Sequence, residues 1–479
     1  MSGYTFIEGW EMVIGLEVHT ELLTATKLFS AAPNHFGGEP NTYIDPVSLG
    51  LPGALPVLNE HAVELAIRAG LALNCSVEPS VFSRKNYFYP DMPKAFQISQ
   101  YDKPINVGGY VELLDGTRIR LERAHLEEDT GKSTHIGDGG GRIHDAEYSL
   151  VDFNRAGVPL LEIVSCPDIV DPEQAKAYVS ELRAILVAVG ASDGKMEEGS
   201  LRVDANVSVR RVGDPQLGTR CEIKNVNSLR SLGRAIDYEA RRQVDLLTAG
   251  ETVRQETRHF NDDTGRTQTL RSKEEATDYR YFPEPDLVEL RPGADWIERV
   301  RSELPMLPHQ RRRRLVDEHS IALATAAIVV DRGLDDVLVE AIGLGADPTR
   351  LAIHAEHNMA DPAARSLRAE DLAALSRLEA DGTITATQAK AVLAAMIESP
   401  ESADPAAIAS SLGFEAMDHS ELETLVDQLI SQHPTEWTRL CEGDMKVTGF
   451  FVGQAMKATQ GNADGKILTA LLNERRASS

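Results

Sequence analysis

Alternation with a period of two dominates the first part of the chain. From Met12 to Leu22 the positions Val13, Gly15, Glu17, His19 and Glu21 share one face, and Ile14, Leu16, Val18 and Leu22 point the other way. This predicts a strand with one polar face and one core face. Leu201 to Arg210 repeats the design, with Leu201, Val203, Ala205, Val207 and Val209 inward, opposite Arg202, Asp204, Asn206, Ser208 and Arg210. Tyr110 to Leu121 predicts a hairpin, Asp115-Gly116 supplying the positive-φ turn between Val111, Leu113 and Ile119, Leu121. Two helices interrupt the strands. One starts at Asp171 as N-cap, with Pro172 at the first helical position and Gln174 three residues after the cap, and stops near Gly190. The other spans Ser228 to Gly250. After Pro292 the apolar spacing becomes three to four, the helical period. A Pro-containing stretch, Ser399 to Pro405, then precedes about four short helices, broken at Gly413, Pro434, Gly443 and Gly461. The expectation is an α+β protein with a β-rich domain at 1–292, a helical domain at 293–402 and a small helical tail at 403–479.

A chain of 479 residues and 52.3 kDa suits that division, since domains hold ~100 to 200 residues. With 42% hydrophobic and 26% charged residues, the composition is that of a globular protein and excludes disorder, collagen and life in lipid. No run approaches ~18 apolar residues, and Met1 to Trp10 lacks a basic segment followed by an apolar one. Cys75, Cys166, Cys221 and Cys441 are scattered and form no CxxC pair, so neither a zinc knuckle nor a disulfide framework is indicated. A reducing cytoplasm without a membrane partner is expected. The net charge of −25 repels polyanions, so any nucleic-acid contact must be local.

The sharpest candidate chemistry is acidic residues on strands whose other face is apolar: Glu17 with His19, then Glu127, Glu128 and Asp129, then Asp204. Hard Mg²⁺ prefers carboxylate oxygens and bridges them to nucleotide phosphates. The solvated outer face of an antiparallel strand gives the same alternation, so the pattern alone leaves both readings open. On a regular strand Glu127 and Glu128 point opposite ways, and only a bulge would bring both to one ion. Gly131-Lys132-Ser133-Thr134 ends like a phosphate-binding P-loop, but Leu126 stands where the first glycine is needed. Gly137 to Gly141 lacks the third glycine of a dinucleotide fingerprint and is expected to be a loop.

Arg84 to Tyr101 gathers Arg84, Lys85, Lys94, Tyr87, Phe88, Tyr89, Phe96 and Tyr101 in a chain only 5% aromatic. Lys85 or Arg84 can meet phosphate oxygens and an aromatic can stack on a base; a core anchor at a strand end is the alternative. Arg311 to Arg314 and the pair His354 and His357 are expected on solvated helix faces. From Met445 to Ser479 the sign of the charge reverses: Lys446, Lys457, Lys466, Arg475 and Arg476 face only Asp464 and Glu474. At physiological salt, screening over ~8 Å lets such a patch hold a phosphate backbone despite the acidic whole. No nucleophile elbow or Ser-x-x-Lys pattern is present.

Several long motifs carry a resemblance: VIGLEVHTEL at 13–22, SRKNYFYPDMPKAFQISQ at 83–100, HLEEDTGKSTH at 125–135, EYSLVDFNRAGVPLLEIVS at 147–165, KMEEGSLRVDANVS at 195–208, DYRYFPEPDL at 278–287 and GFFVGQAMKATQG at 449–461. Over nearly its whole length the chain resembles the B subunits of the bacterial glutamyl/aspartyl-tRNA(Gln/Asn) amidotransferases. That resemblance implies a carbon-nitrogen ligase that uses ATP to phosphorylate the side-chain carboxyl of misacylated Glu-tRNA(Gln) or Asp-tRNA(Asn). Ammonia from a partner amidase, the A subunit, then displaces the phosphate, and the heterotrimer is completed by a small C subunit. It implies a β-rich cradle as catalytic domain and a tail that contacts tRNA through Lys446, Lys457, Lys466, Arg475 and Arg476. The family's metal positions fall on Glu17, His19, Glu127, Glu128 and Asp204, with Mg²⁺ and ATP bound; Glu127 and Glu128 are expected to be catalytic, and so, on the reading of its own position rather than the family's, is Lys85. Lys85 and Lys132 are expected at the nucleotide. The segment Leu351 to Leu367 and the loop at 137–145 depart from the family pattern.

Overall fold

The computed structural model describes residues 6–137, 146–272, 279–414, 419–459, 463 and 465–477. The loop at 137–145 lies outside them except for Gly137. The chain divides into two compact units, Met1–Pro308 and His309–Ser479.

The first unit begins with β1 (Trp10–Glu21), α1 (Glu60–Ala72), β2 (Ser76–Val77), β3 (Val81–Asn86), β4 (Phe96–Lys103), β5 (Asn106–Val107), β6 (Tyr110–Glu112) and β7 (Arg118–Glu128). It continues with β8 (Lys132–Ile136), β9 (Tyr148–Asp152), β10 (Pro159–Ser165), α2 (Pro172–Ala188), β11 (Leu201–Arg211) and β12 (Cys221–Val226). It ends with α3 (Leu229–Thr248), β13 (Glu256–Asn261), β14 (Arg266–Ser272), β15 (Phe282–Pro283) and α4 (Ala294–Ser302). Strands β8 and β9 form a separate hairpin, and the other thirteen form one sheet, ten of them along the path β14-β13-β12-β11-β1-β10-β7-β4-β3-β15 and β2, β5 and β6 paired off it. Neighbours on this path are antiparallel except β12 and β13.

The alternation read from the sequence sorts the faces of this sheet. Ile14, Leu16 and Val18 of β1 are fully buried, as are Val203, Ala205 and Val207 of β11 and Leu161 and Ile163 of β10. They join Val179, Leu182 and Leu186 of α2 and Leu232, Ala235 and Ile236 of α3 in one core, each large side chain contributing ~1.5–3 kcal/mol on leaving water. The helix boundaries follow from local chemistry. The Asp171 carboxylate accepts the Gln174 amide at 2.8 Å, and the Gln174 side chain accepts the Val170 amide at 3.0 Å, which satisfies two of the orphan donors of the first turn. Ser228 caps α3 in the same way. The hairpin turn forms as expected, with Gly116 at φ +85° and Val111 opposite Ile119. After Pro292, α4 still belongs to the first unit: Trp296 and Arg299 both donate to Glu64 of α1.

The second unit is helical among its described residues. Helices α5 (Pro308–His319), α6 (Leu323–Asp331), α7 (Asp335–Gly343), α8 (Pro348–His357), α9 (Ala369–Ala380), α10 (Ala386–Glu398) and α11 (Pro405–Ser411) enclose an apolar cluster running from Leu315 to Ala409. Helices α12 (His419–Gln432), α13 (Pro434–Cys441), α14 (Val447–Ala458) and α15 (Gly465–Ala477) enclose another, from Leu422 to Leu472. The protein is α+β. The divergent stretch at 351–367 is ordinary core here, since Leu351, Ala355, Met359 and Leu367 are buried.

Two expectations about this unit need correction. Arg311 to Arg314 is not a free solvated face: Arg311 and Arg314 both bind Asp335, a carboxylate with no exposed surface at the start of α7, and Arg312 is buried. His354 is buried too, its Nε2 lying 3.1 Å from a Glu379 oxygen, while His357 is exposed. A run of like charge says nothing about acids on a neighbouring helix, and one of them, Asp335, draws the run inward.

Candidate active site

The register of the central strands gathers acids that are remote in sequence. Glu17 of β1 lies opposite Asp204 of β11, His19 lies opposite Glu162 of β10, and Glu162 lies opposite His125 of β7. Directly opposed residues of antiparallel strands share a face at ~4.5–5.5 Å, so Glu17, His19, Asp204, Glu162, His125 and Glu127 all stand on the side away from the helices. There all but Asp204 line a cavity of about 500 Å³ together with Lys85, Glu222, Lys224 and three tyrosines.

The donors fall into two groups. His19, Glu127 and Glu162 form one, and Glu17, Asp204 and Glu222 the other; within each, one donor atom per residue lies within 4.8 Å of the others. The His19 Nε2 is 3.4 Å from Glu162 and 3.7 Å from Glu127. Asn206 donates to Glu17 at 2.8 Å, and the Lys224 ammonium lies 2.6 Å from Asp204 and 3.3 Å from Glu222. Burial and the neighbouring carboxylates Glu162, Glu222 and Asp204 push Glu17 above the usual carboxylate range. Burial, with Glu162 beside it, lifts Glu127 to about 7. Burial alone would lower His19, but the Glu162 hydrogen bond and the charges of Glu162, Glu127 and Asp204 outweigh it and raise it to about 9. Acids crowded out of water beyond what Lys85 and Lys224 compensate, as the raised Glu17 and Glu127 are, form a donor set for an added cation. Oxygen donors with a single imidazole suit Mg²⁺, which tolerates few protein ligands and keeps several waters. Lys85 closes the other side, its ammonium held charged against burial chiefly by Glu127 and lying 4.8 Å from the Tyr279 ring centre.

The sequence also matches two family descriptions, the GatB/GatE catalytic domain over residues 12–298 and the GatB domain over residues 351–475. The chain belongs to the GatB/GatE family. Its relatives include the B subunit of aspartyl/glutamyl-tRNA(Asn/Gln) amidotransferase from Corynebacterium efficiens, 45% identical over 98% of this chain and 97% of that one. The protein of the same name from Clavibacter sepedonicus is 47% identical over 99% and 98% of the two chains. That of Thermodesulfovibrio yellowstonii is 45% identical over 97% and 98%.

Of the metal positions carried over from this family, the structure brings Glu17, His19 and Glu127 to the cavity lining, and Asp204 into the donor group with Glu17 and Glu222. Glu128 goes elsewhere. The strand is regular at that point, so Glu128 faces away from Glu127, where the Lys94 ammonium donates to both its oxygens at 2.5 and 2.7 Å and the Ile98 amide donates at 3.0 Å. Glu128 is therefore a saturated structural carboxylate. Lys132, expected at the nucleotide, lines a different cavity of about 320 Å³ with Glu21, Asp152 and Arg155. In the tail, Lys446 and Lys457 are exposed at the two ends of α14. Arg475 is engaged by Asp427 at 2.8 Å and Arg476 contacts the Met445 sulfur at 2.7 Å. Lys466 lies on α15, its side chain outside the described residues. The sequence reading missed Glu162, Glu222, Lys224, Arg123, Tyr279 and Tyr281. One signal was available, because Glu162 is the only charged residue in the otherwise apolar run Pro159–Ser165.

Proposed function

We propose that this chain is the kinase and transamidase subunit of a tRNA-dependent amidotransferase, acting in the cytoplasm with two partners, the amidase (A subunit) and the small C subunit. Its substrates are ATP, misacylated Glu-tRNA(Gln) or Asp-tRNA(Asn), and ammonia from the partner. The observation that supports this reading best is the gathering of six donor side chains from β1, β7, β10, β11 and β12 into two groups, with five of the six lining one cavity together with Lys85 and Lys224. In the first step a side-chain carboxylate oxygen of the aminoacyl group attacks the γ-phosphorus of ATP. The bond to the β-phosphate oxygen breaks and ADP leaves. In the second, ammonia attacks the carbonyl carbon of the acyl phosphate and inorganic phosphate leaves.

Mg²⁺ held by the two donor groups would neutralise charge on the transferring phosphoryl group. Lys85 and Lys224, both kept charged by the acids around them, bind phosphate oxygens from two sides as charge builds on them. A smaller cavity of about 160 Å³ shares Glu17, Glu122, Val164 and Arg220 with the main one and is lined by Gly15, Ser165, Asn206 and Leu217. It gives the nucleoside end of ATP a place beside the Glu17 group. A Cβ at Gly15 would come 3.6 Å from the Ser165 carbonyl oxygen, narrowing that recess. Lys446 and Lys457, both exposed, are the tail cations open to tRNA backbone, whereas Arg475 is already paired with Asp427. The test is amidation of both misacylated tRNAs by the chain assembled with its amidase partner. Wild type forms amide and ADP in equal amounts; Asp204→Asn and Glu162→Gln lose both together. Amide formation undiminished in both variants overturns the assignment.

A further inference from the structure

The main cavity has an aromatic end that the phosphoryl chemistry leaves without a task. Tyr101 of β4 and Tyr281 stack with centroids 4.8 Å apart and planes 14° from parallel, and Tyr279 meets Tyr281 edge-on at 6.1 Å. The Arg123 guanidinium lies 5.0 Å from the Tyr101 centroid. All three tyrosines are half-buried and line the cavity. They stand beside Lys85 and Glu127, at the β3 and β4 side of the donor groups, whereas the small recess opens beside Glu17. Displacement at phosphorus runs in line, so the entering and leaving groups occupy opposite sides of the transferring phosphoryl. With the nucleoside of ATP on the Glu17 side, the acceptor enters from the tyrosine side.

Resting on the amidotransferase reading, we propose that Tyr101, Tyr279 and Tyr281 form the acceptor subsite and that the 3′-terminal nucleobase of the charged tRNA stacks on them. The aminoacyl group is esterified to the ribose of that same nucleoside. A base held on the tyrosines therefore aims the side-chain carboxyl along Lys85 toward the donor groups. An aromatic platform suits an end that is single-stranded and splayed, because every base offers a π-face. The Arg123 cation adds to the stack and attracts the adjoining phosphate.

The wall is tested from both partners of the stack. A stable analogue with glutamate in amide linkage to 3′-amino-3′-deoxyadenosine is titrated by calorimetry into the full chain, alongside the same compound lacking its base. Wild type is expected to bind the base-less compound about tenfold more weakly, within the range that one base–aromatic stack supplies. In Tyr281→Ala that difference disappears, and in Tyr281→Phe it persists. In steady-state amidation by the assembled enzyme, Tyr281→Ala raises KM for charged tRNA about tenfold and KM for ATP less than about twofold. Equal loss on base removal in wild type and Tyr281→Ala overturns the proposal, since the base then lies elsewhere. A rise in KM for ATP in place of tRNA also overturns it, assigning the tyrosines to the ATP base. Because the calorimetry needs no turnover, a wild type that binds both compounds with the expected difference yet amidates neither tRNA refutes the reaction and leaves the subsite standing.

Discussion

Two acidic clusters sit on opposite faces of the same sheet and behave in opposite ways. On the helix-covered face, Glu239 of α3 has no exposed surface. It accepts hydrogen bonds from Arg242 at 2.6 and 3.0 Å, Gln243 at 2.9 Å and Thr267 at 2.8 Å, with Arg258 at 3.1 Å. Burial pushes it up, yet these partners hold it below the usual carboxylate range. On the open face burial chiefly raises Glu17 and Glu127, and neighbouring carboxylates add to it against the partial offset of Lys224, Lys85 and His19. Their neighbour Glu162, despite burial, is held well below the usual range by His125, His19 and Lys85. Burial is common to both faces and so does not distinguish them. What distinguishes them is whether the chain's own counter-charge, present on the open face as Lys85 and Lys224, suffices for every acid. Where it does, the cluster holds the fold together; where it does not, the compensation is left to a bound cation and the site carries a cost in stability for the sake of function.

Removing Glu239 is the severest way to break this contrast. Glu239→Ala takes from Arg242 and Arg258 their fully buried acid and leaves them Glu256, and loss of one partner of a buried pair costs about 3–5 kcal/mol; urea unfolding of the chain should show it. The same kind of change on the open face should go the other way. Glu17→Gln removes one of several repelling charges while the amide oxygen can still accept from Asn206, so the midpoint of unfolding without Mg²⁺ should hold or rise. Amidation, in contrast, should fall by about a hundredfold or more, the usual effect of losing one electrostatic contact to a transition state. A variant that both unfolds more readily and keeps its activity would remove the distinction between the faces.

The cation itself gives the next, smaller effect. Binding to the folded chain alone stabilises it by about 2.7 kcal/mol at a hundred times the dissociation constant. Unfolding followed with and without Mg²⁺ should show that gain in wild type and in Lys132→Ala, and lose most of it in Glu162→Gln. An equal gain in Glu162→Gln would place the ion elsewhere.

What the sequence made legible is whatever period and local caps determine. The polar row of β1, the polar row of β11, both long helices and the cap at Asp171 could all be read along the chain, and so could Glu17, His19 and Asp204. What completes the site is set by register between distant strands. Glu162 stands in an apolar run and reaches the cavity only because β10 pairs with both β1 and β7. Glu222 and Lys224 arrive on the short strand β12, and Tyr279 and Tyr281 come from a segment close to β15 that no periodicity marks. Glu128 shows the opposite case. Alternation said that it faces away from Glu127, the family pattern placed it at the metal, and the geometry follows alternation, with Lys94 supplying the counter-charge.

His354 offers the mildest test, in the helical unit, of the rule that buried groups keep only the charge their surroundings support. Burial, with the Arg350 guanidinium beside it, pushes this imidazole down to about 4 from an ordinary value of 6.5. With its proton on Nε2 the neutral ring donates to Glu379 and at the same time accepts from Asn358 at Nδ1. A base with a lowered folded value binds fewer protons when folded than when unfolded, so the penalty is absent above pH 6.5 and grows as the pH falls toward 4. At about 1.4 kcal/mol per unit of pH, the step from pH 6.5 to 5.5 should cost on the order of 1 kcal/mol. His354→Gln keeps a donor at that position and removes the titration, so its stability should lose this part of the acid slope while matching wild type near neutrality to within about 1 kcal/mol. Identical slopes in the two proteins would mean that His354 takes up its proton inside the fold, with Glu379 as counter-ion, and would move it from the uncompensated class to the class of Glu239.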